Sequence, residues 1–278
     1  MFEILSGLLS YDFIRRSLLV GSLVSLCAAL LGVTLVLKRY SMIGDGLSHV
    51  GFGALCISLA MNVSPLTVSV PIVIIAAFFL LRISENSKIK GDAAIALISS
   101  TSIALGVIIT SLTNGLNTDV SSYLFGSVLA VDKNDVFLSV VLSVTVIIIY
   151  IIFYNKIFAV TFDESFAKAT GTKTGIFNTL IALLTAVIIV VGMRIMGALL
   201  VSSLIIFPAL TSMRVFKSFK SVVISSSVIS LVCFFLGIAA SFIIETPAGA
   251  SVVIVNAAMF LLFTAAGLIL KSGFNKAK

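Results

Sequence analysis

The 278 residues contain no tryptophan, one histidine, three cysteines and four prolines, and only 10% of them are charged. Each scarcity excludes something. One histidine rules out HExxH and every other zinc motif that needs two within the chain. Cys27, Cys56 and Cys233 stand singly inside apolar runs, without CxxC spacing. They read as small core residues, not as disulfides or a thiolate cluster. No GxxxxGK[ST] stretch occurs, so the chain does not bind ATP through a phosphate loop. No basic n-region opens the first ten residues and no cleavage signature follows, so a cleavable signal peptide is not expected. Soluble domains carry about 25% charged residues, well above the level here.

What is present is apolar. Hydrophobic residues make up 60% of the chain, in repeated runs of roughly 20, the length of a membrane-crossing helix. The expected fold is all-α, a polytopic transmembrane helical bundle of about nine spans, with eight possible. The spans are expected over about 17–37, 45–61, a third ending at Leu81, 93–112, 136–154, a sixth ending near Val191, 195–213, 221–244 and a ninth ending at Leu270. A small break is expected at Gly192–Arg194, and Pro208 is expected to kink or partly unwind the seventh span. The connection 113–135 suggests an interfacial or re-entrant piece. The net charge of +7 reads as loop orientation, not nucleic-acid binding. With nine spans and the N-terminus outside, 14 basic residues fall inside, among them Lys38, Arg82, Lys173 and Arg214. Only Arg15, Arg16, Lys133 and Arg194 fall outside. That bias predicts an outer N-terminus and a cytoplasmic C-terminus.

The densest chemistry lies in KRYSMIGDGLSHVGFGAL, residues 38–55. Asp45 and His49 are four residues apart, which on a helix puts a carboxylate and an imidazole on one face, one turn apart. Both bind divalent transition metals, and ionisable residues inside a membrane are costly and usually functional. Two structural readings compete: Asp45 as a helix N-cap, and His49 as a buried imidazole donating to a carbonyl. Gly44, Gly46, Gly51 and Gly53 allow backbones or a ligand to approach. Two ligands do not fill a coordination sphere, so water, other residues or a second copy must complete it.

Residues 161–174, TFDESFAKATGTKT, interrupt the apolar pattern. They predict a short surface helix, with Thr161 or Asp163 capping its start and Gly171 ending it. Asp163 and Glu164 in the first turn and Lys168 later complement the helix dipole. Such a helix is either an ordinary connector or a knob for a cytoplasmic partner.

Taken in order, KRYSMIGDGLSH, SYLFGSVLAV, FDESFAKATGTKT, GALLVSSLIIFPALTS and ETPAGASVVIVNAAMF make the chain resemble the permease subunit of bacterial ABC-type importers for zinc and manganese, the zinc-uptake permease family. The resemblance covers nearly the whole length. It implies a single transmembrane permease domain over 1–278, type II ABC importer-like, in the bacterial cytoplasmic membrane. It implies a homodimer with the pathway on its two-fold axis, two cytoplasmic ATP-binding subunits and an extracellular metal-binding protein, with no nucleic acid. Asp45 and His49 match the family's D-x-x-x-H metal ligands. The segment at about 161–174 resembles the coupling helix, with Asp163, Glu164, Ser165, Ala167, Lys168 and Gly171 as the ATPase-coupling residues. The one departure noticed is Gly46, where related sequences often carry a bulkier residue. The chain would catalyse no bond chemistry and hold no permanent cofactor. Its cargo would be Zn2+, with Mn2+ or Fe2+ as alternatives. Rival classes are an ATPase-independent secondary transporter or channel, and an intramembrane enzyme or structural subunit.

Overall fold

The computed structural model describes residues 12–86, 91–113 and 133–276. SYLFGSVLAV lies outside them. The described chain forms helices α1 (Asp12–Leu37), α2 (Ser41–Ala60), α3 (Pro65–Asn86), α4 (Gly91–Leu112), α5 (Lys133–Ile152), α6 (Tyr154–Phe162), α7 (Glu164–Ala169), α8 (Thr174–Met196), α9 (Ala198–Val215), α10 (Phe219–Ile244) and α11 (Ala248–Lys276). Nine of these are long and apolar enough to cross a membrane; α6 and α7 are the two that are not.

The spans sort by burial. Helices α1, α2, α8 and α9 form the centre, and α3, α4, α5, α10 and α11 ring them with mostly open faces. Large exposed side chains on the ring, such as Leu97 and Leu105 of α4 or Leu261 and Ile269 of α11, are what a lipid-facing surface requires. Where the apolar effect cannot join helices, small residues and hydroxyls do. Ser230 of α10 donates to the Ser25 carbonyl of α1 at 2.9 Å, and Ser212 of α9 to the Val222 carbonyl of α10 at 3.0 Å. At Gly53 on α2, a Cβ would lie 2.8 Å from the Ser102 carbonyl oxygen of α4. Only a glycine lets these two backbones meet so closely.

Two expectations about the chain path are corrected. The break between the sixth and seventh spans falls at Gly197, not at Gly192–Arg194. Gly197 has φ 88° and ψ 154°, a conformation side-chain-bearing residues rarely adopt. Gly192 stays helical and serves packing instead, because a Cβ there would meet Val201 and Val24. The Pro208 segment is not unwound: α9 runs through it without interruption.

Candidate metal site

The path into the site is a tight reversal after α1. Tyr40 N–H donates to the Leu35 carbonyl at 2.8 Å and Arg39 N–H to that of Val36 at 3.1 Å, while Arg39 takes φ 61°. A side-chain-bearing residue in the left-handed region costs energy and persists where its surroundings fix it. Next to Arg39 stands Lys38. Its side chain is 6% exposed, and its ammonium donates to Glu164 Oε2 at 3.0 Å, to Asn178 Oδ1 at 2.5 Å and to the Val160 carbonyl at 3.2 Å. Asn178 returns an amide proton to Glu164 Oε1 at 3.2 Å. One cation thereby ties the end of α1 to α6, α7 and the first turns of α8.

Helix α2 starts at Ser41, after Tyr40, so Asp45 lies inside the helix and is not its N-cap. His49 sits one turn deeper. His49 Nε2 faces Asp45 Oδ2 across 3.6 Å, with the imidazole side chain 27% and the carboxylate 43% exposed. His49 Nδ1 is buried without a hydrogen-bond partner, which removes the reading of a histidine satisfied by a carbonyl. The pair occupies the open stripe of a helix whose other faces are covered. Ile43, Gly44, Gly46, Leu47, Ser48 and Val50 are buried around it, while Met42, one turn earlier on the same face, is 47% exposed.

Behind the pair lies α9. Ser48 donates to its own turn at the Asp45 carbonyl, 2.7 Å, and Ser202 reaches Ser48 Oγ at 3.4 Å. Gly46 packs on α4, where a Cβ would meet Cγ2 of Ile95 at 2.6 Å. The small residues here serve helix contact, leaving the acid and the imidazole as the ligand-type groups. Among the described residues no group of three or more His, Cys, Asp and Glu side chains could hold a metal.

The second predicted cluster divides at Asp163. The residue ends α6 in an extended conformation and caps α7, accepting from Phe166 N–H at 2.9 Å. Thr161 is not the cap; its hydroxyl donates back to the Ile157 carbonyl at 2.6 Å. Gly171, at φ 81°, follows the last turn of α7 as expected. Glu164 points toward Lys38, Ala167 is buried, and Lys168 and Gly171 stay exposed with Ser165 beside them. Burial alone would raise the Glu164 carboxyl, but the hydrogen bond and charge of Lys38, helped by Asn178 and Thr174, hold it below its ordinary value.

The sequence reading did not find Lys38, Asn178 or Ser202 as parts of this arrangement. A lysine closing an apolar run reads as an orientation signal, and only the fold brings it to residues more than a hundred positions away. Arg194 and Asp135 were likewise read as loop charges. They form a buried pair, with Nε at 3.1 Å and one terminal nitrogen at 3.0 Å from the same carboxylate oxygen, joining α8 to the start of α5.

Among the described residues, nine helices long and apolar enough to cross a membrane, with an acid and an imidazole on a partly open stripe of the second, define a polytopic helical bundle of the membrane-protein class. The comparisons make that class specific. Residues 10–267 match the model of the ABC 3 transport family, and the chain belongs to that family. The manganese import system permease protein ScaB of Streptococcus gordonii is 28% identical over 94% of this chain and 93% of its own length. The high-affinity zinc uptake system membrane protein ZnuB of Haemophilus influenzae is 28% identical, over 91% of this chain and 97% of its own. Among solved structures, PsaBC from Streptococcus pneumoniae in complex with Fab aligns with a TM-score of 0.85 and 28% identity, covering 97% of this chain and 99% of that one. A putative metal-chelate type ABC transporter in an inward-facing conformation, 17% identical with a TM-score of 0.68 over 91% of this chain and 86% of that one, shares the fold.

Proposed function

We propose that the chain is the membrane-spanning subunit of an ATP-driven importer for divalent transition metals, and that the ion passes Asp45 and His49. The observation that carries this is the pair itself. A carboxylate oxygen and an imidazole nitrogen 3.6 Å apart sit on the accessible stripe of the most buried span. Their second imidazole nitrogen has no other duty. One nitrogen and one oxygen ligand make half of a four-coordinate site. Two copies related by a two-fold axis supply two of each, so the homodimer belongs to the same reading.

Two cytoplasmic ATP-binding subunits would drive the cycle, and an extracellular metal-binding protein would deliver the ion. Helix α7 and its flanks, from Asp163 to Gly171, would be the part the ATPase grips. The Lys38 cluster gives that grip a route to the site, since Lys38 lies seven residues before Asp45 in the same turn-and-helix unit. The site must release what it takes, so its affinity should be modest.

Zinc is the cargo proposed, because an imidazole beside a carboxylate suits it well. Manganese is the second reading, favoured by relatives named for manganese import. The test is zinc and manganese uptake into vesicles carrying the permease with its ATPase, comparing the native chain with Asp45→Ala and His49→Ala. Uptake should fall by more than about tenfold in both, the scale at which even supporting groups of a metal site act. Unchanged uptake in both variants overturns the site. Competition between the two ions decides the cargo.

A further inference from the structure

Between the ends of α3 and α8 lies a groove of about 550 Å³ that the transport reading does not use. Its walls are apolar: Phe78 of α3, with Ile176 and Leu180 of α8. Phe78 and Ile176 are 46% and 60% exposed on helices that cross the membrane, so the groove opens toward lipid. At its polar end stand Arg82, in the last turns of α3, and Lys173, immediately before α8. Thr179, the neutral polar side chain of the lining, gives its hydroxyl proton to the Gly175 carbonyl at 2.9 Å. No carboxylate occurs among the described lining residues, and neither cation has an ion-pair partner among the described residues. The groove therefore presents two positive charges, without ion-pair partners among the described residues, at the membrane boundary, and a hydrocarbon slot running inward from them.

We propose that this groove binds an anionic phospholipid, its phosphate between Arg82 and Lys173 and one acyl chain along Phe78, Ile176 and Leu180. Charge complementarity selects the headgroup, as in other basic pockets between membrane helices. The apolar slot separates a lipid from a free anion. A soluble phosphate would gain the cations and leave the slot empty, while a zwitterionic lipid would fill the slot and bring its own cation toward Arg82.

The test is native mass spectrometry of the full-length chain released from detergent, titrated with phosphatidylglycerol and with phosphatidylcholine of the same acyl chains. The native chain should retain phosphatidylglycerol several-fold more strongly. The double variant Arg82→Gln/Lys173→Gln should lose that preference while still binding both lipids weakly. Ile176→Trp, which fills the slot and leaves both charges, should lose the bound lipid as well. Unfolding temperature and monodispersity identify any variant that has misfolded, and either variant alone then suffices. Equal retention of the two lipids by the native chain overturns the proposal. So does full displacement by inorganic phosphate, which would make the site one for free anions. A double variant that keeps its lipid preference but no longer co-purifies with the ATPase overturns it too, and assigns the groove to protein docking.

Discussion

At the scale of single residues, the site separates function from stability. Asp45 and His49 are 43% and 27% exposed, and the Asp45 side chain reaches a neighbouring helix through a hydrogen bond with Ser202 of α9, which an asparagine oxygen can still accept. Asp45→Asn and His49→Gln should therefore leave thermal unfolding within about 0.5 kcal/mol of the native chain, while metal uptake collapses. The glycines around them behave in the opposite way. A Cβ at Gly53 would press on a backbone oxygen of α4 at 2.8 Å, and one at Gly46 on Cγ2 of Ile95 at 2.6 Å, a methyl on the stiff β-branched carbon. Gly53→Ala and Gly46→Ala should each cost about 1–3 kcal/mol relative to the native chain, the range for overpacking. Unfolding of the two variants and the native chain in detergent measures the cost.

At the scale of elements, the notable connection is the one between α7 and the turn that enters α2. Lys38 has three acceptors and little solvent. Lys38→Met removes the donor shared by Glu164, Asn178 Oδ1 and the Val160 carbonyl and unties the end of α1 from α6, α7 and α8, so ATP hydrolysis should persist while uptake per ATP falls severalfold. A merely structural lysine would lower both together. The pH dependence has a definite sign. The Glu164 carboxyl is held below its ordinary value of 4.5, so the contact contributes fully above that value and is lost as pH falls through the lower folded one. The stability difference between the native chain and Glu164→Gln should be constant from pH 7 to about 5 and shrink below 4.5. A difference that grew on acidification would remove the carboxylate from the contact. The sequence showed the helices readily because hydropathy alone places a span, and D-x-x-x-H spacing placed the pair on one face. It misplaced the break because Gly192 and Gly197 are the same letter. One is a glycine for packing against Val201, the other for a backbone angle, and only tertiary contacts tell them apart. The Lys38 cluster was illegible for the same reason: charge pattern assigns a lysine to a side of the membrane, not to a partner on another helix.

At the scale of the whole molecule, the proposed reading makes one protomer half of a site. Its described residues offer no third ligand-type side chain near Asp45 and His49, and the stripe carrying them is open although α2 is otherwise covered. A transition metal completes four ligands at about 2.0–2.2 Å from nitrogen and oxygen, so two α2 helices sharing one ion must face each other closely along that stripe. Met42, one turn from Asp45 on the same face and 47% exposed, then lies near its own copy. Met42→Cys should cross-link to itself with a short bis-maleimide in native membranes. The endogenous thiols do not confuse the result, because Cys27, Cys56 and Cys233 are all buried. Phe79→Cys, on the lipid-facing side of α3 and 57% exposed in the native side chain, is the control and should stay monomeric under the same conditions. Metal should alter the Met42→Cys rate in the intact site and have no effect once His49 is also replaced by alanine. Equal cross-linking at both positions would reflect crowding in the membrane, and none at Met42 would place the two-fold axis elsewhere and leave the acid and imidazole without the second pair of ligands they need.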